Sequence, residues 1–134
     1  MRVFVLLLAM VSDVLAAEWV EVRGFSAAGI TGYADTPTIR RSGDMAKMQD
    51  VYNYKTMQVS GTGKRYLSSK SQGEYDCKNT RARHRFFTRY SGNMARGNVV
   101  TSNYHSDIKE IDRWGLVAPA TVEENLWKIA CKKK

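Results

Sequence analysis

A chain of 134 residues accommodates one small domain and excludes a multidomain architecture. It carries 21 lysines and arginines against 13 aspartates and glutamates, which gives a formal net charge of +8 at pH 7. This excess favours an anionic partner such as nucleic acid, lipid headgroups, glycosaminoglycans or an acidic protein surface, and the charge alone does not choose among them.

The beginning of the chain has the residue order of a secretory signal peptide. Arg2 precedes an apolar run, Val3–Val11, and small residues follow up to position 17. The run is too short for a permanent membrane anchor, and Asp13 is an unusual residue in such a segment. We therefore expect residues 1–17 to be a signal peptide and residues 18–134 to form a single exported domain. A buried N-terminal strand is the alternative.

The two cysteines, Cys77 and Cys131, predict a disulfide. In an oxidising compartment, an even pair of cysteines in a small domain most simply forms one bridge. The bridge would close a loop of roughly 54 residues and contribute on the order of 4 kcal/mol to stability. The chain has no C-x-x-C motif, and its histidines lack the spacing of zinc ligands. We therefore expect neither a metal nor a cofactor.

Short β-rich segments separated by turn signals follow, which favours an antiparallel sheet over βαβ units. Asp35-Thr36-Pro37 is one such turn cluster. The segment 45–59 is ambiguous, because its methionines and Tyr52 fit a helical stripe whereas Val51–Val59 is rich in β-formers; we assign it mainly to strand. The predicted strands are Trp19–Val22, Ile30–Ala34, Thr38–Arg41, Met45–Val59, Lys64–Lys70 with its continuation Glu74–Cys77, Arg81–Tyr90 and Asn98–Tyr104.

The pattern changes after Pro119, where a helix is predicted. Thr121 is placed to cap it, with Glu124 at the capping-box position. Apolar residues on one helical face follow, namely Val122, Leu126, Ile129 and Ala130. A helix tied to the sheet through Cys131 and Cys77 would cover one sheet face. This arrangement is an α+β domain.

Several short motifs stand in a distinctive order along the exported part of the chain. They are Tyr33-Ala34-Asp35, Thr38–Arg41, Gly73–Cys77, Tyr90–Met94, Gly97–Val100, Trp114, Pro119 and Leu126–Cys131. This ordered set resembles the surface-adhesin protein E-like family of Gram-negative bacteria. The resemblance implies an antiparallel sheet of about six strands packed against a C-terminal helix, with a helix-to-sheet disulfide.

The resemblance also implies a function. The founding member of the family is an outer-membrane adhesin that binds host matrix and serum proteins and forms dimers. We therefore expect an exported, non-enzymatic protein that engages acidic protein or sulfated glycan surfaces, extracellular matrix proteins among them, with a homodimer as a candidate assembly. No lipid-attachment cysteine is evident, which favours the periplasm over display on the cell surface. The expected location is therefore outside the cytoplasm, in the periplasm or at the cell surface. The alternative is a periplasmic structural or accessory subunit with a protein partner.

The stretch RARHRFFTR, residues 81–89, supplies the candidate binding surface. Alternate arginines on one strand face lie about 6.6–7 Å apart, and their guanidinium forks suit carboxylate and sulfate groups. The predicted ligand-binding residues are Arg81, Arg83, Arg85, Arg89, Arg96, Arg40 and Arg41. The alternative is a solvated face neutralised across the sheet by Glu74 and Asp76.

The even-numbered positions of the same stretch are predicted to face the helix. They are Ala82, His84, Phe86, Thr88 and Tyr90. On this face we expect His84 to be a packed, hydrogen-bonded histidine rather than a ligand.

No catalytic constellation is found, and we expect no enzyme activity. Gly61-Thr62-Gly63-Lys64 fails as a phosphate loop, because Gln58 and Arg65 occupy the positions of a required glycine and of a required serine or threonine; it predicts a hairpin turn. Aromatic residues interleave with basic ones, which suits single-stranded nucleic acid. An exported protein does not meet this partner, so we expect no nucleic-acid binding and core positions for the aromatics.

Overall fold

The structure, a computed structural model, describes residues 18–25, 28–104 and 113–133. The predicted signal peptide lies outside these residues. Six strands form an antiparallel meander in chain order, and a short seventh strand pairs with the fifth. No helix in the described part is long and apolar enough to cross a membrane. The elements are β1 Trp19–Val22, β2 Ile30–Ser42, β3 Met45–Val59, β4 Arg65–Asp76, β5 Arg81–Tyr90, β6 Val99–Tyr104, β7 Gly115–Leu116 and α1 Val122–Cys131.

Helix α1 begins where the sequence predicts it. The hydroxyl oxygen of Thr121 accepts a hydrogen bond from the backbone N–H of Glu124 at 3.2 Å. This cap satisfies one of the N–H groups that lack a partner within the helix. Glu123 and Glu124 place negative charge in the first turn, where the helix dipole favours it.

The hydrophobic core lies between α1 and one face of the sheet. Its most deeply buried members are Ala34, Ala46, Met48, Tyr75, Leu126 and Ala130. Cys77 and Cys131 form the predicted disulfide. The indole N–H of Trp127 donates to the backbone carbonyl of Asp76 at 2.9 Å. The bridge and this hydrogen bond hold α1 against the end of β4, so the predicted sheet, helix and helix-to-sheet disulfide are confirmed.

The turn predicted around Pro37 is wrong. Strand β2 continues through it, and only its register against β3 shifts after Asp35. The hydroxyl of Thr38 donates to the carbonyl of Asp35 at 2.6 Å and accepts from the backbone N–H of Gln49 at 2.8 Å. Proline has no backbone donor. The threonine side chain therefore supplies a partner for β3 where the main chain of β2 is out of register.

Residues 45–59, ambiguous in the sequence, form β3 over their whole length, so the assignment to strand is confirmed. The residues of β3 that face α1 include Ala46, Met48 and Asp50, all of them almost inaccessible to solvent. Asp50 is thus a carboxyl group at a position where the alternation places apolar residues.

Candidate functional site

The strand pairing of β4 with β5 sets carboxylates opposite arginines on the sheet face away from α1. Asp76 lies opposite Arg81, and Glu74 lies opposite Arg83. The Arg81–Asp76 pair measures 2.8 Å and the Arg83–Glu74 pair 2.7 Å. Nε of Arg85 lies 3.8 Å from the same Glu74. The predicted cross-strand neutralisation by Glu74 and Asp76 is therefore present.

The line of charged residues on this sheet face extends to β3 and β2. The register places Arg40 of β2 opposite Lys47 of β3, and Lys47 opposite Glu74. Nζ of Lys47 lies 3.9 Å from Glu74. We call this surface the basic face; it consists of Arg40, Lys47, Arg81, Arg83 and Arg85 with the carboxylates of Glu74 and Asp76.

Asp76 organises the turn that leads into β5. Its carboxylate accepts hydrogen bonds from the guanidinium of Arg81 and from the backbone N–H groups of Lys78 and Asn79, at 2.8–3.1 Å. The bond from Arg81, followed by those from Asn79, holds the pKa of Asp76 well below its usual range. Arg81 therefore has a structural role as well as a place on the basic face.

An aromatic ring packs against two of these arginines. The guanidinium carbon of Arg83 lies 4.5 Å from the ring centre of Trp114, and that of Arg81 lies 5.6 Å from it. A guanidinium over an indole face is held by cation–π attraction. Trp114 directly precedes β7, whose pairing with β5 positions the ring.

A β-bulge divides β5, and the predicted alternation beyond it is wrong. His84 pairs with Gly73 and Phe86 with the adjacent Gln72, so Arg85 is an extra residue without an opposite partner in the ladder. One extra residue exchanges the two faces of everything that follows. Phe86, Thr88 and Tyr90 consequently lie on the face away from α1.

Arg89 moves in the opposite sense, to the side of the sheet that carries α1. Its guanidinium carbon lies 4.5 Å from the ring centre of Tyr66 and 4.8 Å from that of Phe87. The prediction that Arg89 joins the surface of Arg81 and Arg83 is therefore wrong, and the bulge at Arg85 is the cause.

The remaining predicted arginines are dispersed. Arg41 donates to Sγ of Cys77 at 3.2 Å and to the carbonyl of Cys131 at 3.3 Å, so it lies at the disulfide. Arg96 lies in the loop after β5, where its backbone closes a turn with Gly92. Of the seven predicted residues, the structure brings together Arg40, Arg81, Arg83 and Arg85.

The side of the sheet that carries α1 has a second feature, an open cleft of about 200 Å³. We call it the aromatic cleft; it is lined by Tyr52, Tyr54, Ser69, Ser71, Phe87 and Arg89, with His84 beside them. The ladder positions of β4 and β5 place His84 at one end and Arg89 at the other.

A polar cluster joins the cleft to the helix. Nε2 of His84 lies 3.1 Å from a carboxylate oxygen of Glu123 in α1. The hydroxyl of Ser71 donates to Oδ1 of Asp50 at 2.6 Å. The other oxygen of Asp50, Oδ2, has no hydrogen-bond partner among the described residues. The cluster thus contains a histidine and two carboxyl groups at the sheet–helix boundary.

The environment shifts two of these pKa values upward. Burial raises the pKa of Asp50 from 3.8 to about 6, although the charge of His84 and the hydrogen bond from Ser71 act the other way. Burial lowers the pKa of His84, but the hydrogen bond and charge of Glu123, together with the charge of Asp50, outweigh it and leave that pKa raised.

The interpretation of His84 as a packed, hydrogen-bonded histidine agrees with its contact to Glu123. The aromatic cleft itself was not predicted, because nothing within β5 marks the bulge that brings Phe87 and Arg89 to this face. Asp50 was also missed. A signal existed, since Asp50 alternates with Met48 and Tyr52 on one face of a β-rich segment.

The sequence is similar to a known protein family. The sequence model for surface-adhesin protein E matches residues 19–132. No curated protein matches the chain significantly.

Solved structures share the fold at low sequence identity. The structure of Haemophilus influenzae protein E is 14% identical with a TM-score of 0.59, over 84% of this chain and 83% of that one. Crystal form II of the same protein is 13% identical with a TM-score of 0.58, over 87% and 97%. Protein E from non-typeable H. influenzae is 14% identical with a TM-score of 0.57, over 84% and 75%. At such identities the likeness concerns the fold alone.

Proposed function

Because the chain belongs to the surface-adhesin protein E family, we propose that it is an exported, non-enzymatic binding protein whose basic face engages acidic protein or sulfated glycan surfaces. We include extracellular matrix proteins among these proposed partners. A location in the periplasm or on the cell surface is compatible with export.

The observation that carries this proposal is the excess of cations on one sheet face. Within the described residues, the basic face sets five cations against two carboxylates. The single carboxylate of Glu74 lies within ion-pair distance of Lys47, Arg83 and Arg85. Counted over residues 18–25, 28–104 and 113–133, the basic face therefore has more cations than carboxylates, and an anionic partner would complement it.

The geometry of the basic face favours binding, and so does its charge. Arg81 and Arg83 are held by carboxylates on one side and by the Trp114 ring on the other. Side chains that are already ordered lose less conformational entropy when a partner binds. Guanidinium groups also match the bidentate geometry of carboxylate and sulfate.

A heparin column tests the proposal with the exported domain, residues 18–134. Arg81/Arg83/Arg85→Gln removes three charges from the basic face. Lys55/Lys64/Arg65→Gln removes three charges from the exposed end of the β3–β4 hairpin and is the matched control. The basic-face variant should elute at a distinctly lower salt concentration than the control. Equal elution of the two variants would mean that only net charge matters and would refute the site.

Because Arg81 also supports the turn at Asp76, its replacement could change elution by disturbing that turn. A second variant excludes this explanation. Arg40→Gln with Lys47→Gln weakens the same face without touching Asp76, and it should also elute earlier. Size-exclusion chromatography with light scattering addresses the alternative function. A salt-insensitive dimer without heparin retention would favour an accessory subunit.

A further inference from the structure

The aromatic cleft opens on the opposite side of the sheet from the basic face, so it can act separately from it. Among the described residues, its arginine, Arg89, makes no ion pair with a carboxylate. The guanidinium is instead fixed by its contacts with Tyr66 at 4.5 Å and Phe87 at 4.8 Å. A stacked guanidinium keeps its in-plane N–H donors available for a carboxylate ligand. Arg89 is therefore an ordered anion anchor.

The walls of the cleft suit a small ring rather than a bare anion. Tyr52, Tyr54 and Phe87 contribute aromatic surface. Tyr54 is itself fixed by an edge-to-face contact with Tyr66, with ring centres 5.6 Å apart. Aromatic faces pack well against the C–H face of a pyranose ring, and ligand sites typically combine such surface with a few placed polar groups.

Two serines supply those polar groups. Ser69 lies opposite Arg89 in the strand ladder, so its hydroxyl lies near the anchor. The hydroxyl of Ser71 donates its hydrogen bond to Asp50 at 2.6 Å. A hydroxyl that donates one hydrogen bond still has lone pairs that accept, so Ser71 suits the hydroxyl group of a sugar.

The volume of the cleft and the charges around it further restrict the class of ligand. The cleft volume of about 200 Å³ is smaller than the ~300–1,000 Å³ of sites for drug-sized ligands, which favours a single ring. Glu123 lies at the other end of the cleft, where it contacts His84, four ladder positions and thus roughly 13 Å from Arg89 along the strands. Asp50 is nearer, because it is bonded to Ser71, two ladder positions from Arg89. The carboxylate of a ligand therefore belongs on Arg89, with the uncharged part of its ring toward Ser71.

We propose that the aromatic cleft binds one acidic sugar unit, a pyranose ring that carries a carboxylate, with the carboxylate on Arg89 and the ring against Tyr52, Tyr54 and Phe87. This site is independent of the basic face. The same chemistry describes a free uronic acid and the terminal uronic acid of a glycan.

An NMR titration of the exported domain tests the proposal, with D-glucuronate as the probe. D-Glucose matches its ring and acetate matches its carboxylate. Glucuronate should give saturable shifts at the amides of Ser69, Ser71 and Phe87, while glucose and acetate should not. Arg89→Gln should weaken binding at least about tenfold, as expected for the loss of a charge-assisted hydrogen bond. Arg89→Lys, which keeps the charge, should retain part of the affinity, and Arg65→Gln should change nothing.

Equal saturation by acetate would identify an adventitious anion site. Equal binding of glucose would show that Arg89 has no role in recognition. Either result overturns the proposal, and the absence of saturable shifts would overturn it too. The variant Arg81/Arg83/Arg85→Gln should bind glucuronate normally, which separates failure here from failure of the basic face. Tighter binding of a disaccharide that ends in glucuronate would identify a glycan terminus as the ligand. Tighter binding of the free sugar would identify a small solute.

Discussion

A carboxylate oxygen of Glu123, in the first turn of α1, lies 3.1 Å from Nε2 of His84 on β5. The contact joins the only helix of the described residues to the strand that carries the basic face on its other side. Since it pairs a titrating imidazole with a carboxylate, we expect the docking of the helix N-terminus to depend on pH. The charged groups around His84 are Glu123 from the helix and Asp50 from β3.

Replacement of Glu123 by glutamine should lower the pKa of His84 and flatten the pH dependence of stability. The pKa of His84 is raised above its ordinary 6.5 in the folded protein. Its stabilising contribution is therefore complete below that ordinary value and is lost as pH rises through the folded pKa. An NMR titration of the His84 ring measures the change. Glu124→Gln is the control, because Glu124 pairs with Lys128 at 3.2 Å; the same His84 pKa in both variants would contradict the prediction.

Replacement of Asp50 by asparagine should stabilise the protein at pH 7.5 and have little effect at pH 4. The pKa of Asp50 rises from 3.8 to about 6 on folding, so folding is progressively disfavoured as pH rises through this window. A shift of this size corresponds to roughly 3 kcal/mol once the group is ionised. Asparagine avoids that cost and can still accept from Ser71. Urea unfolding at the two pH values measures the difference.

Asp44→Asn is the matched control for this comparison, because Asp44 is exposed in the turn between β2 and β3. It should leave the pH dependence unchanged. A destabilisation by Asp50→Asn that is larger at pH 7.5 than at pH 4 would show that the ionised carboxylate is favourable in the folded protein.

The elements of the fold could be predicted because their signals are local. The capping residue Thr121 and the apolar spacing of α1 define the helix. The alternation of polar and apolar residues in short segments defines the strands. The faces of β5 could be predicted only as far as His84. The bulge at Arg85 has no glycine on β5 itself, since the adjacent glycine, Gly73, lies on β4 opposite His84. The bulge depends on how β4 pairs with β5, which is tertiary information.

The candidate sites could likewise be predicted only where local alternation determines them. Arg81 and Arg83 share a face because they precede the bulge, so simple alternation places them correctly. Arg40 joins them only through a register that spans β2 to β5. The aromatic cleft requires both the bulge and the pairing of β3, β4 and β5, so residues far apart in sequence such as Tyr52 and Arg89 give no joint signal.

Removal of the disulfide should lower the free energy of unfolding by on the order of 4 kcal/mol, because the bridge closes a long loop. Cys77 and Cys131 are 54 residues apart. The double variant Cys77→Ser/Cys131→Ser should therefore unfold at a lower urea concentration. Native wild-type protein should show no thiol that reacts with Ellman's reagent; two reactive thiols would contradict the bridge.

Export should remove the first 16 or 17 residues. N-terminal sequencing of the protein from a Gram-negative host should begin at Ala17 or Glu18, and fractionation should place it outside the cytoplasm. Replacement of Leu6 and Leu7 by arginine interrupts the apolar run and should leave the full chain in the cytoplasm. Recovery of wild-type protein that begins at Met1 would refute the signal peptide and would favour an N-terminal strand.

Replacement of Glu74 by glutamine should strengthen heparin retention, the opposite of the effect of removing arginines. Glu74 is the shared carboxylate of Lys47, Arg83 and Arg85. Its neutralisation raises the local positive charge by one where the anionic partner is proposed to bind. Glu21→Gln makes the same change in net charge at an exposed position of the edge strand β1, so it should increase retention less. If both variants elute together, the gain reflects net charge alone. If Glu74→Gln elutes earlier than wild type, the ion pairs of Glu74 are needed to present the arginines, and the face acts by their geometry rather than by its excess charge.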